Sequence, residues 1–183
     1  VGPDGSIYVG DGHEGQNTED PSTVARIAKF SADGELIASW GRWGSGPGEF
    51  KTPHAVLFDS QGRLVVADRG NNRLQILDQE GNFIEEFKQF SRPSDMYFGL
   101  DGMIYVADSE SAFNPSPNPG WTPGIRVGSL EDGSVSYFID GAIEGHDRYP
   151  DGSNPEGVAV DAAGNVYGAV VSRGGAMVRS VRQ

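Results

Sequence analysis

Three histidines, one arginine and one glutamate carry the chemistry that this sequence suggests. The histidines are His13, His54 and His146, the arginine is Arg69 in ADRGNNR, and the glutamate is Glu156 in PEGVAV. Imidazole and carboxylate both ligate zinc, at about 2.0–2.2 Å, and a three-ligand site with an open position activates water. A guanidinium presents a planar fork of donors to a substrate carboxylate. The chain has no cysteine, which excludes disulfides and thiolate metal sites. No serine sits in a nucleophile-elbow context and no HExxH occurs, and GSGPGE lacks the strand–loop–helix setting of a phosphate-binding loop. A plainer reading stands beside each candidate. His54 then closes a strand start, His13 and His146 are solvated loop residues, and Arg69 lies in a surface turn whose neighbouring Asp68 bonds local backbone.

The elements that must position these residues come from a repeat. Pro53 is followed by Asp59, Gly62 and Asp68, and Pro93 by Gly99, Gly102 and Asp108. Pro155 leads to Asp161 and Gly164, with Val170 in the last place, and Gly2, Gly5 and Asp11 fit the same frame. Between these markers lie short runs of strand-forming residues, such as RLVVAD, MIYVAD, RLQILD and NFIEEF, separated by Gly-bearing turns. Four antiparallel strands in about 40 residues make the blade of a β-propeller. The expected fold is all-β, with blade-like units over approximately 1–45, 50–90, 91–140 and 153–183 of one domain. The first and last units are expected to be incomplete, so that the chain reads as an arc of a larger ring. Open strand edges then call for missing blades or for self-association.

Composition narrows the partners. The net charge of −12 excludes nucleic acid and anionic membrane surfaces, both of which need a basic face. No apolar run has the length of a membrane span. The 27 glycines and 11 prolines would otherwise signal disorder, but they recur at the turns of the repeat.

The antiparallel order places the starts of first strands and the ends of second strands on one rim. Pro53–His54, Pro155–Glu156, Asp11–Gly12–His13 and Asp68–Arg69 all fall there. So do the insertions Glu14–Val24, Ser111–Pro123 and Gly141–Asn154, the last of which carries His146. Insertions on one face of a repeat fold mark its binding face. A small-molecule or peptide ligand is therefore expected on this rim, near the ring axis. Asp11, Asp68 and Asp108 recur in the copies and are read as structural, because a repeated residue serves the repeated fold. Trp40 and Trp43 are expected to pack where the first unit joins the second.

The unit PHAVLFDSQGRLVVADRGNNRLQILDQEGNFIEEF resembles the NHL family of β-propellers almost end to end. From Ile7 to Phe87 the order VGDG, RIAKFSADGELIASWG, GPGEFKTPH and VADRGNNRLQ is similar to peptidyl-α-hydroxyglycine α-amidating lyases and their bacterial relatives. That resemblance implies a six-bladed ring with a zinc held by three histidines and a structural calcium. It also implies a catalytic Tyr and Arg residues that break a C–N bond and release glyoxylate. By position, His54 in TPHAV matches a zinc ligand and Arg69 a catalytic Arg. His13 falls where the Tyr stands and Glu156 where a second zinc His stands, so both depart from the pattern. The resemblance tilts localisation toward a secreted or periplasmic protein. Two functions follow: a metal-dependent lyase-like enzyme acting on a small carboxylate-bearing or peptidic substrate, or a non-catalytic propeller binding a protein or glycan. In the second, Trp121 and Phe113 of the Pro-rich insertion would be the anchors.

Overall fold

The structure, a computed structural model, describes residues 1–113, 115–141, 154–171 and 176–180. Two compact units, Val1–Lys88 and Gln89–Gln183, make up the chain. The first holds β1 (Ile7–Asp11), β2 (Arg26–Phe30) and β3 (Leu36–Trp40) in one sheet. Its second sheet runs β4 (Pro53–Phe58), β5 (Leu64–Asp68), β6 (Arg73–Leu77) and β7 (Phe83–Phe87). The second unit repeats the plan with β8 (Asp95–Phe98), β9 (Ile104–Asp108), β10 (Gly124–Gly128) and β11 (Val135–Asp140). Its other sheet holds β12 (Pro155–Val160), β13 (Val166–Val170) and β14 (Ala176–Ser180). Every strand pairs antiparallel with its sequence neighbour in the sheet, so the fold is the all-β arrangement that the repeat frame implies.

Burial follows position in the sheet. Every residue of the middle strands β5, β6, β9 and β10 is buried, and their runs of Val, Ile and Leu suit two covered faces. The outermost strands are more exposed, most fully β11, where Tyr137 is 67% exposed. In the first unit Tyr8, Ile27, Phe50, Leu64, Val66 and Leu77 form the core, with Trp40 and Trp43 packed against it. Trp40 stacks on Tyr8 at 6.0 Å between ring centroids. Both tryptophans thus sit where the two sheets of this unit meet, as their place between the repeats implies. A separate core in the second unit joins Tyr105, Ala107, Ile125, Val127, Val158 and Val166.

Two strands carry the same irregularity. Pro53 pairs with Asp68 and Ala55 with Ala67, which leaves His54 as the extra residue of a β-bulge. Pro155 pairs with Val170 and Gly157 with Ala169, so Glu156 is the extra residue of an equivalent bulge. Bulges bend a strand and re-aim one side chain, and they concentrate next to functional sites.

Candidate functional site

The recurrent Asp at the ends of β1, β5 and β9 builds the local frame. Asp68 is fully buried, and its Oδ1 accepts the Lys51 amide at 3.0 Å and the Thr52 amide at 3.4 Å. Its Oδ2 accepts Asn71 Nδ2 at 2.8 Å, Arg73 Nε at 2.9 Å and Gln75 Nε2 at 3.3 Å. Burial pushes the Asp68 carboxyl up, while the Asn71 amide, the charge of Arg73 and the Lys51 N–H pull it back. Arg73 in turn donates to the carbonyls of Ser45, Gly46 and Glu49 and pairs with Glu86 at 2.7 Å. The conserved geometry across copies is an Asp–Arg pair between second and third strands. Asp11–Arg26 spans 2.9 Å with both side chains 43% exposed, and Asp108–Arg126 spans 3.5 Å and is buried. In the third copy Ser91 and Ser111 hydroxyls, each 2.6 Å from Asp108, replace the amide donors used around Asp68.

On this frame the first unit brings together three of the residues singled out by sequence. His13 opens a single 3-10 turn, His13–Gln16, just after β1. His54 sits on the bulge of β4, and Arg69 opens a second 3-10 turn, Arg69–Asn71, at the end of β5. Arg69 Nη2 lies 2.8 Å from His13 Nε2, and the Arg69 amide donates to the Thr52 carbonyl at 2.8 Å. A guanidinium only donates, so Nε2 of His13 is the acceptor and its ring proton is on Nδ1. The His13 and His54 rings stand 5.6 Å apart between centroids, tilted by 51°. Arg69 is 1% exposed, so its charge is held inside the protein rather than on a solvated turn.

The turn carrying His13 is fixed from below. Trp43 Nε1 donates to the Gly15 carbonyl at 3.1 Å, and Lys51 Nζ lies 4.8 Å over the Trp43 ring. Lys51 also pairs with Glu19 of the insertion at 2.9 Å. A Cβ on Gly15 would overlap the Lys51 carbonyl oxygen, so only glycine lets the turn approach this closely. Neither Trp43 nor Gly15 announces this role in the sequence, since both lie outside the repeat frame.

The remaining candidates lie elsewhere. Glu156 begins β12 in the second unit and is half-buried on its bulge. His146 and residues 142–153 of its loop lie outside the described residues. Trp121 is 39% exposed, with the Arg126 guanidinium 4.9 Å from its ring and 4.9 Å from that of Phe138. It packs partly onto its own sheet. Among the described residues no three of His, Cys, Asp and Glu converge on one point. The spacing of the His13 and His54 rings would let them face a common ion, but His13 Nε2 is engaged by a cationic guanidinium. These residues do not fit a zinc site by themselves.

Residues 50–77 match the family model of the NHL repeat, a span that contains Asp68, Arg69, Asn71, Arg73 and Gln75. NHL repeat-containing protein 3 of Homo sapiens is 42% identical over 106 residues, covering 56% of this chain and 28% of that protein. Peptidyl-glycine alpha-amidating monooxygenase A of Xenopus laevis is 28% identical over 172 residues, covering 89% of this chain and 16% of that protein. The chain thus spans less than a third of either relative. Among solved structures, virginiamycin B lyase from Staphylococcus aureus aligns with a TM-score of 0.54 and 12% identity, over 86% of this chain and 48% of that one. At that identity the likeness concerns the propeller-like fold alone. The repeat frame, the four antiparallel sheets and these relatives identify the chain as an NHL-repeat β-propeller chain similar to the amidating monooxygenases.

Proposed function

We propose that the chain belongs to a lyase-like propeller enzyme that holds the carboxylate end of a small or peptidic substrate at Arg69, His13 and His54 and breaks a C–N bond in it. The observation that carries this reading is the meeting of His13, His54 and Arg69 although His13 and Arg69 are 56 residues apart. A buried guanidinium next to two imidazoles combines a carboxylate fork with groups able to accept and donate a proton near neutral pH. The bulge at His54 supports it further, because it frees that side chain from the alternation of the sheet. The similarity to an amidating monooxygenase supports the reaction class.

The zinc that the resemblance implies would take His54 with ligands other than His13. Equal zinc content in the full-length protein and its His54→Ala variant would remove zinc from this reading. The reaction is tested by glyoxylate release from an α-hydroxyglycine peptide by the full-length protein. Release is expected, with loss of at least tenfold on Arg69→Lys, which keeps the charge but not the fork. No release, or an unchanged rate in Arg69→Lys, overturns the proposal. A second reading, a glycan- or protein-binding propeller, is favoured by the part-exposed Trp121 with the Arg126 guanidinium against its ring. It takes over if no glyoxylate forms and Trp121→Ala abolishes retention on a glycan array.

A further inference from the structure

The second unit contains a cavity of about 460 Å³, within the ~300–1,000 Å³ range of small-molecule sites. It opens at the short-turn ends of the third and fourth sheets, away from the ends of β9 and β13 where the candidate rim lies. Tyr105, Val127, Tyr137, Ile139 and Val166 supply apolar and aromatic walls, and Ser180 stands at its side. Asp101 is the charged residue among those that line it.

Asp101 breaks the repeat. In the second and fourth sheets the turn before the second inner strand is closed by an Asp six residues after the leading Pro. Asp59 Oδ1 accepts the Gln61 and Arg63 amides, and Asp161 Oδ1 accepts the Ala163 and Asn165 amides. The third sheet has Gly99 in that place, where a Cβ would run into Asp101 and Tyr105. Asp101, two residues later, takes the Met103 amide at 3.2 Å and the Tyr105 hydroxyl at 2.9 Å instead. A carboxylate is thereby moved out of its repeat position, as Asp4 is beside Gly2 in the first sheet. There Asp4 pairs with Lys29 at 2.8 Å, whereas in the third sheet Val127 holds the place of Lys29 and Asp101 borders an aromatic cavity. Arg63, which pairs with Asp59 at 2.7 Å, is matched here by Met103, a further apolar wall. The chain as a whole carries −12, which favours cations at any such mouth.

We infer that this cavity is a binding site for a compact aromatic amine, its ring between Tyr105, Tyr137 and Val166 and its ammonium group toward Asp101. Aromatic walls attract a cation as well as a ring, and a carboxylate with a fixed rotamer costs little to organise. The site is independent of the Arg69 constellation and of the reaction proposed there.

Phenethylamine and phenylacetate share a ring and differ in charge, so the pair isolates the part played by Asp101. Each is titrated into the full-length protein and followed by amide chemical shifts. Saturable shifts at Gly102, Met103, Val127 and Val166 are expected with phenethylamine, and at least tenfold weaker binding with phenylacetate. Asp101→Asn should bring phenethylamine down to the phenylacetate level. Ser180→Trp, at a half-buried position on β14, should abolish both; Tyr137→Ala, on an exposed strand, should weaken both and serves if Ser180→Trp disturbs the fold. The inference is overturned if no saturable shift occurs at the cavity, if the two probes bind equally, or if neither Ser180→Trp nor Tyr137→Ala changes binding.

Discussion

The buried Asp68–Arg73 pair and the half-exposed Asp11–Arg26 pair occupy the same place in the repeat, which makes a matched test of burial. Asp68→Asn keeps the shape of the side chain but leaves one acceptor oxygen instead of two. If that oxygen faces Arg73, the two amides of Lys51 and Thr52 meet an NH₂ group; if it faces the amides, Asn71, Arg73 and Gln75 do. Hydrogen bonds to a charged group contribute ~1.5–3 kcal/mol, and breaking a buried ion pair costs ~3–5 kcal/mol. Arg73 keeps Glu86 and its three carbonyl acceptors, so the loss should fall at the low end, about 3 kcal/mol. Asp11→Asn, with both partners 43% exposed, should cost ~0–1 kcal/mol. Urea unfolding followed by Trp fluorescence reports on the first unit through Trp40 and Trp43. With a slope of ~1–3 kcal/mol/M, the Asp68→Asn midpoint should drop by about 1–3 M, and that of Asp11→Asn by a few tenths. A cost below about 1 kcal/mol for Asp68→Asn, or equal costs for the two variants, would refute the argument that burial gives the repeated Asp its weight.

Gly15→Ala should cost ~1–3 kcal/mol and move the His13 ring away from Arg69, visible as a lost contact in histidine-ring NMR spectra. Trp43→Phe removes the bond to the Gly15 carbonyl and should cost ~0.5–1.5 kcal/mol in the same urea assay, with weaker ordering of the insertion. The Asn165 side chain and amide, with Tyr167 and Ala163, hold Asp161 down at about 2, below the ~3.9 of an unfolded chain. Its stabilisation is therefore complete above pH ~4 and lost as pH falls from there toward 2, so the urea midpoint of Asp161→Asn should fall less than that of the parent between pH 5 and 2.5.

Strands were legible because their code is local. LVVAD, RLQIL and IYVAD alternate nothing and are buried throughout, and the Pro, Asp and Gly markers fix where each begins and turns. The role of Asp68 was legible for the same reason, as a residue that recurs with the fold. What did not show was how differently the copies bury that Asp: Asp68 and Asp108 are enclosed, whereas Asp11 is half-exposed. That depends on which chains pack around it, and no single repeat encodes its surroundings. The bond between Arg69 and His13 was invisible too, because it joins residues of two different repeat units and follows no period. The bulges at His54 and Glu156 leave no mark beyond the shared Pro before each, and Gly99 with Asp101 reads as an ordinary turn until the geometry displays the exchanged carboxylate.

The bonds made by Arg73 and Asp68 reassign ownership of the segment between the first two sheets. Ser45, Gly46 and Glu49 give their carbonyls to Arg73, Lys51 and Thr52 give their amides to Asp68, and Gly48 N–H reaches Gln75 Oε1 at 3.0 Å. Residues 45–52 are thus fastened to the sheet that follows them. A repeat excised from Pro53 to Phe87, at the visible ends of its strands, would leave the guanidinium of Arg73 with three acceptors gone and the carboxylate of Asp68 short of two donors. Recombining such modules between propellers calls for a cut near Gly41–Arg42, upstream of these contacts, so that each transplanted sheet carries its own leading loop.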